Sequence, residues 1–195
     1  MKHFLFFLTI FVLMFCFPNV AHAGSGKGIH YKGGMQYHIR YAKLNLPETS
    51  ISDIGMGLGG RAAINVTPYL RIGGMGFRSR WTYPTNVEKN NYIEIGFGGI
   101  SLEYVIACKK FSFSAGICGG GGRVTYLHSI THDDPYSVVR YESETSMIVQ
   151  PIATTEYKLT DRISAAVMFD GLYAQALPIN NHFAPAIHFG ILFGR

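Results

Sequence analysis

Almost every stretch of this chain alternates apolar and polar residues with a period of two, the pattern that predicts β-strands. In the first, Met35, Tyr37, Ile39 and Tyr41 alternate with Gln36, His38 and Arg40. The second sets Ile54, Met56 and Leu58 against Gly55, Gly57, Gly59 and Arg61. Leu70 and Ile72 against Arg71 and Gly73 open a third stretch that runs on towards Trp81. The fourth has Ile93, Ile95 and Phe97 against Glu94 and Gly96, then flips phase at Gly98-Gly99 to Ile100, Leu102, Tyr104 and Ile106. A flip at paired glycines predicts a β-bulge. The fifth sets Phe111, Phe113, Ala115 and Ile117 against Ser112, Ser114 and Cys118. The sixth spans Val139 to Tyr157 and is the most polar, with Arg140, Glu142, Glu144 and Glu156 on one face. The last two carry Ile163, Ala165, Val167 and Phe169, with Asp170 opposite, and Ile187, Phe189, Ile191 and Phe193 against His188 and Gly190.

The connections alternate as well. A two-residue turn at Lys109-Lys110 pairs Cys108 with Phe111, and the same register sets Ile106 opposite Phe113, Tyr104 opposite Ala115 and Leu102 opposite Ile117. One turn therefore puts both apolar faces on one side, as register demands. Leu159 faces Ile163 across a second tight turn, and Asn65-Val66-Thr67-Pro68 makes a third, because proline cannot sit in a central strand. Longer polar links fall at 45–52, 83–90, 128–138 and 177–181. Eight strands with short turns at one end and longer links at the other predict an all-β, eight-stranded antiparallel up-and-down barrel.

Residues 1–23 are a different object. Lys2 and His3 precede an apolar run from Phe4 to Phe17, Pro18 ends it, and Ala21-His22-Ala23 offers a small-residue cleavage site. That order predicts a cleaved secretory signal peptide, leaving 24–195 as one barrel domain. The bulky Met14 and Phe15 before Cys16 disfavour a lipoprotein cysteine.

Composition narrows the environment. Hydrophobic residues make up 48% and charged ones 15%, with Gly 23, Tyr 12 and Phe 14. Disordered chains are less aromatic and far more charged. The formal charge of +5 is spread without a basic cluster, so no nucleic-acid partner is expected.

Alternation alone does not say which face points out: a soluble barrel has an apolar lumen, and an outer-membrane barrel inverts it. Side-chain size does. An eight-stranded lumen is just wide enough to be filled by side chains, which suits glycines, serines and a few long charged residues. The bulky face then meets lipid. The charges on the small-residue face, Arg40, Arg61, Arg71, Glu94, Glu103, Arg140, Glu142, Glu144 and Glu156, are expected to form a lumen network. Tyr31, Tyr37, Tyr41, Tyr69, Trp81, Tyr83, Tyr92, Tyr126 and Tyr157 are expected mostly at interfacial girdles.

The turn segments Asn65-Val66-Thr67-Pro68-Tyr69-Leu70 and Tyr157-Lys158-Leu159-Thr160-Asp161-Arg162-Ile163, with the closing Ile187, Phe189, Ile191 and Phe193, give a chain whose pattern resembles the small outer-membrane barrels of the OmpA transmembrane, OmpX and OmpW type. The resemblance implies a bacterial outer-membrane location, membrane lipid as surroundings, and a terminal aromatic strand read by the barrel-insertion machinery. This chain ends Phe193-Gly194-Arg195, two residues beyond the aromatic.

Candidate chemistry is sparse. His128, Ser129 and Asp133 or Asp134 have hydrolase residue types, but neighbours on an extended strand point to opposite faces. The same segment with His132 has metal-ligand types, and Asp133-Asp134-Pro135 suits a plain turn equally. Gly119-Gly120-Gly121-Gly122 lacks the Lys-Ser/Thr of a phosphate loop and fits a bend, or room for bulky neighbours. Cys118 falls opposite about Ser101, too far along the strand from Cys108 for a disulfide. Arg78, Arg80 and Lys89 suit lipid phosphates or solvated loops alike. Short links make adhesion a weak reading. The expected protein is monomeric, with no catalytic residues, cofactor or metal. Its role is structural or a narrow small-solute pathway through a polar lumen. The alternatives are a lipid-modifying barrel enzyme and a soluble periplasmic barrel holding a small apolar ligand.

Overall fold

A computed structural model describes residues 30–45, 50–83, 91–131, 137–174 and 183–194, so the predicted signal peptide lies outside the described residues. The strands are β1 (His30–Asn45), β2 (Ser50–Asn65), β3 (Leu70–Tyr83), β4 (Asn91–Cys108), β5 (Phe111–Thr131), β6 (Ser137–Lys158), β7 (Ile163–Ala174) and β8 (Phe183–Gly194). Each pairs with its sequence neighbours, and β8 returns to β1, closing an antiparallel barrel. Paired residues lead from His30 to Asn65, Arg71, Glu103, Gly116, Ile152, Asp170 and Ala186, and back to β1 at Arg40, ten residues past the start. With a rise of ~3.3 Å per residue and strands ~4.8 Å apart, that stagger tilts the strands by about 40°.

The tight turns follow from their sequences. Cys108 pairs with Phe111, Ile106 with Phe113, Tyr104 with Ala115 and Leu102 with Ile117, as the Lys109-Lys110 turn requires. Lys109 takes a left-handed φ of 51° to make that turn. In the other two turns a threonine hydroxyl does the same work. Thr67 Oγ1 accepts from the amides of Tyr69 and Leu70, and Thr160 Oγ1 from those of Arg162 and Ile163.

The bulky face points outward. The outward apolar side chains run from Tyr31 to Tyr41 on β1, Ile64 to Ile54 on β2, Tyr157 to Met147 on β6, Ile163 to Tyr173 on β7 and Phe193 to Phe183 on β8. Each run covers ten residue steps, which at the strand rise and tilt above is a band of about 25 Å, the height of an outer-membrane apolar belt. Tyr31, Tyr69 and Tyr157 are exposed at the turn end and Tyr41 at the other, as girdle residues. Trp81, Tyr83 and Tyr126 correct that expectation: Trp81 and Tyr83 are buried in the lumen, and Tyr126 packs against its apolar core.

β4 has no bulge. Gly98 and Gly99 pair one for one with Gly76 and Met75 on one side and with Gly121 and Gly120 on the other. The backbone keeps its phase while the apolar side chains change face. Below the glycines Ile100 and Leu102 point out; above them Ile93, Ile95 and Phe97 point into the lumen. The segment 128–138, expected as a link, is largely strand: β5 and β6 stay paired up to Thr131 and Ser137. They form a hairpin that rises past the belt, whose upper edge on β6 is Met147. One stretch of wall lacks ladder pairs. Between Val149–Tyr173 and Ile152–Asp170, Gln150 and Pro151 have no partner on β7; proline has no N–H to give.

Candidate functional site in the barrel lumen

The inward face is filled in three tiers. Nearest the tight turns is an ionic tier. Arg61 Nη2 donates to both oxygens of Glu103 at 2.7 and 2.8 Å, and Arg61 Nη1 donates to Thr154 Oγ1 at 3.1 Å. Ser114 Oγ donates to Glu103 at 2.8 Å. Arg71 Nη1 lies 2.6 Å from Glu156 and 3.8 Å from Glu103, so it bridges two carboxylates, while its Nε donates to Asn65. Lys32 Nζ completes the chain 2.5 Å from Glu156. Charges taken out of water are tolerated only when paired and hydrogen-bonded, and here each carboxylate has at least two partners.

Above it stands a mixed tier. Arg40 Nη1 and Nη2 reach Asp170 at 2.8 and 3.0 Å, and Nη1 also donates to the carbonyl of Ala184. His188 Nε2 donates to Asp170 at 2.5 Å, and Gln150 Nε2 sits 3.5 Å from the same carboxylate. His38, the cross-strand partner of His188, lies with its ring centroid 4.7 Å from that of His188 and shares a 2.6 Å hydrogen bond with Ser79. The Nδ1 atoms of both histidines are buried without a hydrogen-bond partner.

The top tier is apolar: Trp81, Tyr83, Ile93, Ile95 and Val124 head a core cluster that continues down one wall through Phe97 and Phe77, whose ring packs against those of His38 and His188, to Met75 beside Arg61. The inward glycines of β2 make the room. A β-carbon at Gly55 would come within 2.4 Å of the Trp81 ring, one at Gly57 within 2.6 Å of the His38 ring, and one at Gly59 within 2.6 Å of Phe77 Cβ.

Of the charges expected inside, Arg40, Arg61, Arg71, Glu103 and Glu156 lie in these tiers. Glu94 does not. Because β4 keeps its phase, Glu94 faces outward, where Arg78 and Arg80 reach it at 2.5 and 3.1 Å. Glu142 and Glu144 are exposed on β6 beyond the apolar tier, and the side chain of Arg140 lies outside the described residues. So do the side chains of His128 and Ser129, and residues 132–136 altogether. Sequence reasoning passed over His38, Ser79, Gln150, Asp170 and His188, although their parity with the glycine face marks them as inward. Ser79 and His38 have the atoms of an activated nucleophile, and both are fully buried in the lumen. Cys108 is exposed at its turn and Cys118 is buried in the lumen; both are free thiols.

No family model matches the sequence, and neither does any curated protein. Solved structures do match the fold. Neisserial surface protein A aligns with a TM-score of 0.63 at 13% identity, over 86% of this chain and 99% of that one. Ail, the attachment invasion locus protein of Yersinia pestis, aligns with a TM-score of 0.55 at 8% identity, over 84% of this chain and 98% of that one. The fold is that of the small eight-stranded outer-membrane barrels, and the outward apolar belt has the polarity of that class rather than of a soluble barrel with an apolar ligand inside.

Proposed function

We propose that the chain is a monomeric, non-conducting barrel of the bacterial outer membrane, with a structural role: it holds a sealed cylinder in lipid and raises the β5–β6 hairpin beyond it. One observation carries this reading, the stacking of an apolar tier on two hydrogen-bonded tiers. The fully buried Trp81 and Ile93 stand above the fully buried Arg40, His38 and His188, so ions entering from either end meet side chains at packing density rather than water. The narrow solute pathway is the weaker half of the sequence expectation, because a polar lumen conducts only where it is hydrated. The outward Phe189, Ile191 and Phe193 of β8 fit the strand that insertion machinery would engage during assembly.

The test is electrical. The refolded mature chain in planar bilayers is expected to leave the membrane at its baseline conductance at all moderate voltages. Reproducible unitary steps that scale with protein concentration would overturn the sealed reading and restore the pathway.

A further inference from the structure

The outward glycines differ from the inward ones. Gly55, Gly57 and Gly59 are required by bulky neighbours, whereas a β-carbon at Gly96, Gly98, Gly119 or Gly121 would meet nothing within 4 Å. Three of them, Gly96, Gly98 and Gly121, line a hollow in the lipid-facing wall. It is a groove of about 680 Å³ whose lining includes Gly96, Gly98, Gly121 and Met147, with Arg123 at its rim.

The register shows its shape. One row across the wall runs Gly76, Gly98, Gly121, Met147; the row towards the tight turns runs Gly74, Ile100, Gly119, Val149. Ile100 and Met147 are 71% and 80% exposed and form apolar banks beside the glycine floor. The row on the other side runs Arg78, Gly96, Arg123, Thr145, so two guanidinium groups flank the head of the groove. Arg80 lies one outward step further along, its guanidinium 4.1 Å from the centroid of the Tyr92 ring. Among the described outward-facing residues of β3, β4 and β5, three arginines stand here with the carboxylate of Glu94.

An apolar channel inside the belt, headed by excess positive charge at the belt's upper edge, matches a molecule that is apolar along its length and anionic at one end. We propose that this groove seats an acyl chain of a phosphorylated outer-leaflet lipid, with Arg78 and Arg123 holding its phosphate. Guanidinium groups are well suited to phosphate because they donate in a planar fork.

The test uses the full mature barrel in detergent. Native mass spectrometry would count the lipid retained from bisphosphorylated lipid A, from its dephosphorylated form and from phosphatidylcholine. The phosphorylated form is expected to be retained about tenfold more tightly than the other two, a difference of ~1.4 kcal/mol. Gly98→Leu/Gly121→Leu fills the open floor and is expected to abolish retention. Arg78→Gln/Arg123→Gln is expected to remove the phosphate preference alone. Heat-modifiable gel migration confirms that each variant is a folded barrel. Equal retention by the wild type and the folded leucine variant would overturn the proposal, as would the absence of any preference for phosphate. A dimer of the wild type that the leucine pair dissolves would overturn it too, by making the groove a contact between copies.

Discussion

Arg61 of β2 reaches across the lumen to Glu103 of β4 and places one guanidinium nitrogen within hydrogen-bonding distance of both carboxylate oxygens, at 2.7 and 2.8 Å. Glu103 also faces Arg71 at 3.8 Å, so one carboxylate balances two cations. Glu103→Gln leaves them partly uncompensated in a buried site, and a cost of about 3–5 kcal/mol is expected in urea unfolding from micelles. Arg61→Met/Glu103→Leu removes both charges and is expected to recover most of that loss. A double variant as unstable as Glu103→Gln would mean that the tier acts through shape rather than charge.

Trp81 is the bulkiest of the fully buried side chains and belongs to the apolar tier. Trp81→Ala is expected to cost about 3–5 kcal/mol through lost burial and the cavity left behind. It should nevertheless leave planar bilayers silent, because the Arg40–Asp170 and Arg61–Glu103 tiers remain in place. Channel steps from this variant alone would show that the ionic tiers do not seal the lumen.

Lys109 occupies left-handed backbone space at φ 51°, which costs a residue with a β-carbon roughly 1 kcal/mol more than glycine. Lys109→Gly is expected to raise the unfolding free energy by up to about 0.5 kcal/mol, net of the greater freedom glycine has when unfolded. Lys110→Gly, at the next position, is expected to bring no such gain. A gain of equal size from both would point to relief of charge repulsion between the lysines.

At the turn between β6 and β7, Lys158 Nζ lies 2.7 Å from Asp161 and holds its carboxyl below the ordinary value of 3.8. A depressed folded-state pKa stabilises the fold above that ordinary value and is lost as pH falls through the folded one. Asp161 is fully exposed, so solvent screens the pair and the effect is small. Wild type and Asp161→Asn are expected to differ slightly in melting temperature at neutral pH and to converge as pH falls through and below the lowered carboxyl value. A difference that persists in acid would assign it to turn geometry.

The strand count, the turns and the β4–β5 register were legible because each rests on local information: parity within a strand, and the residues that can make a tight turn. The lumen was legible only in part. Arg61 and Glu103 share the glycine face with His38, Gln150 and His188, but formal charge marks only the first pair, and Asp170, charged and of the same parity, stands alone among uncharged residues on its strand. The phase switch at Gly98-Gly99 was misread for a deeper reason. Apolar residues were assumed to face one way along a whole strand, whereas Ile93 and Phe97 close the lumen while Ile100 faces lipid. Periodicity reports that two faces differ; it is silent on where along the cylinder the inside stops being polar. The reach of β5 and β6 beyond the belt was hidden similarly, since a polar ribbon and a polar loop have the same composition.

A ring of strands has no loose end, which is why such cylinders resist unzipping. Here the ring has a seam: at Pro151, facing Gly171, two successive rungs between β6 and β7 are missing. Around the rest of the circumference the wall is a continuous ladder, so mechanical load should concentrate where the rungs are fewest. The neighbouring Gln150, tied to Asp170 only at 3.5 Å, is then the lumen residue best placed to feel the first parting of the staves.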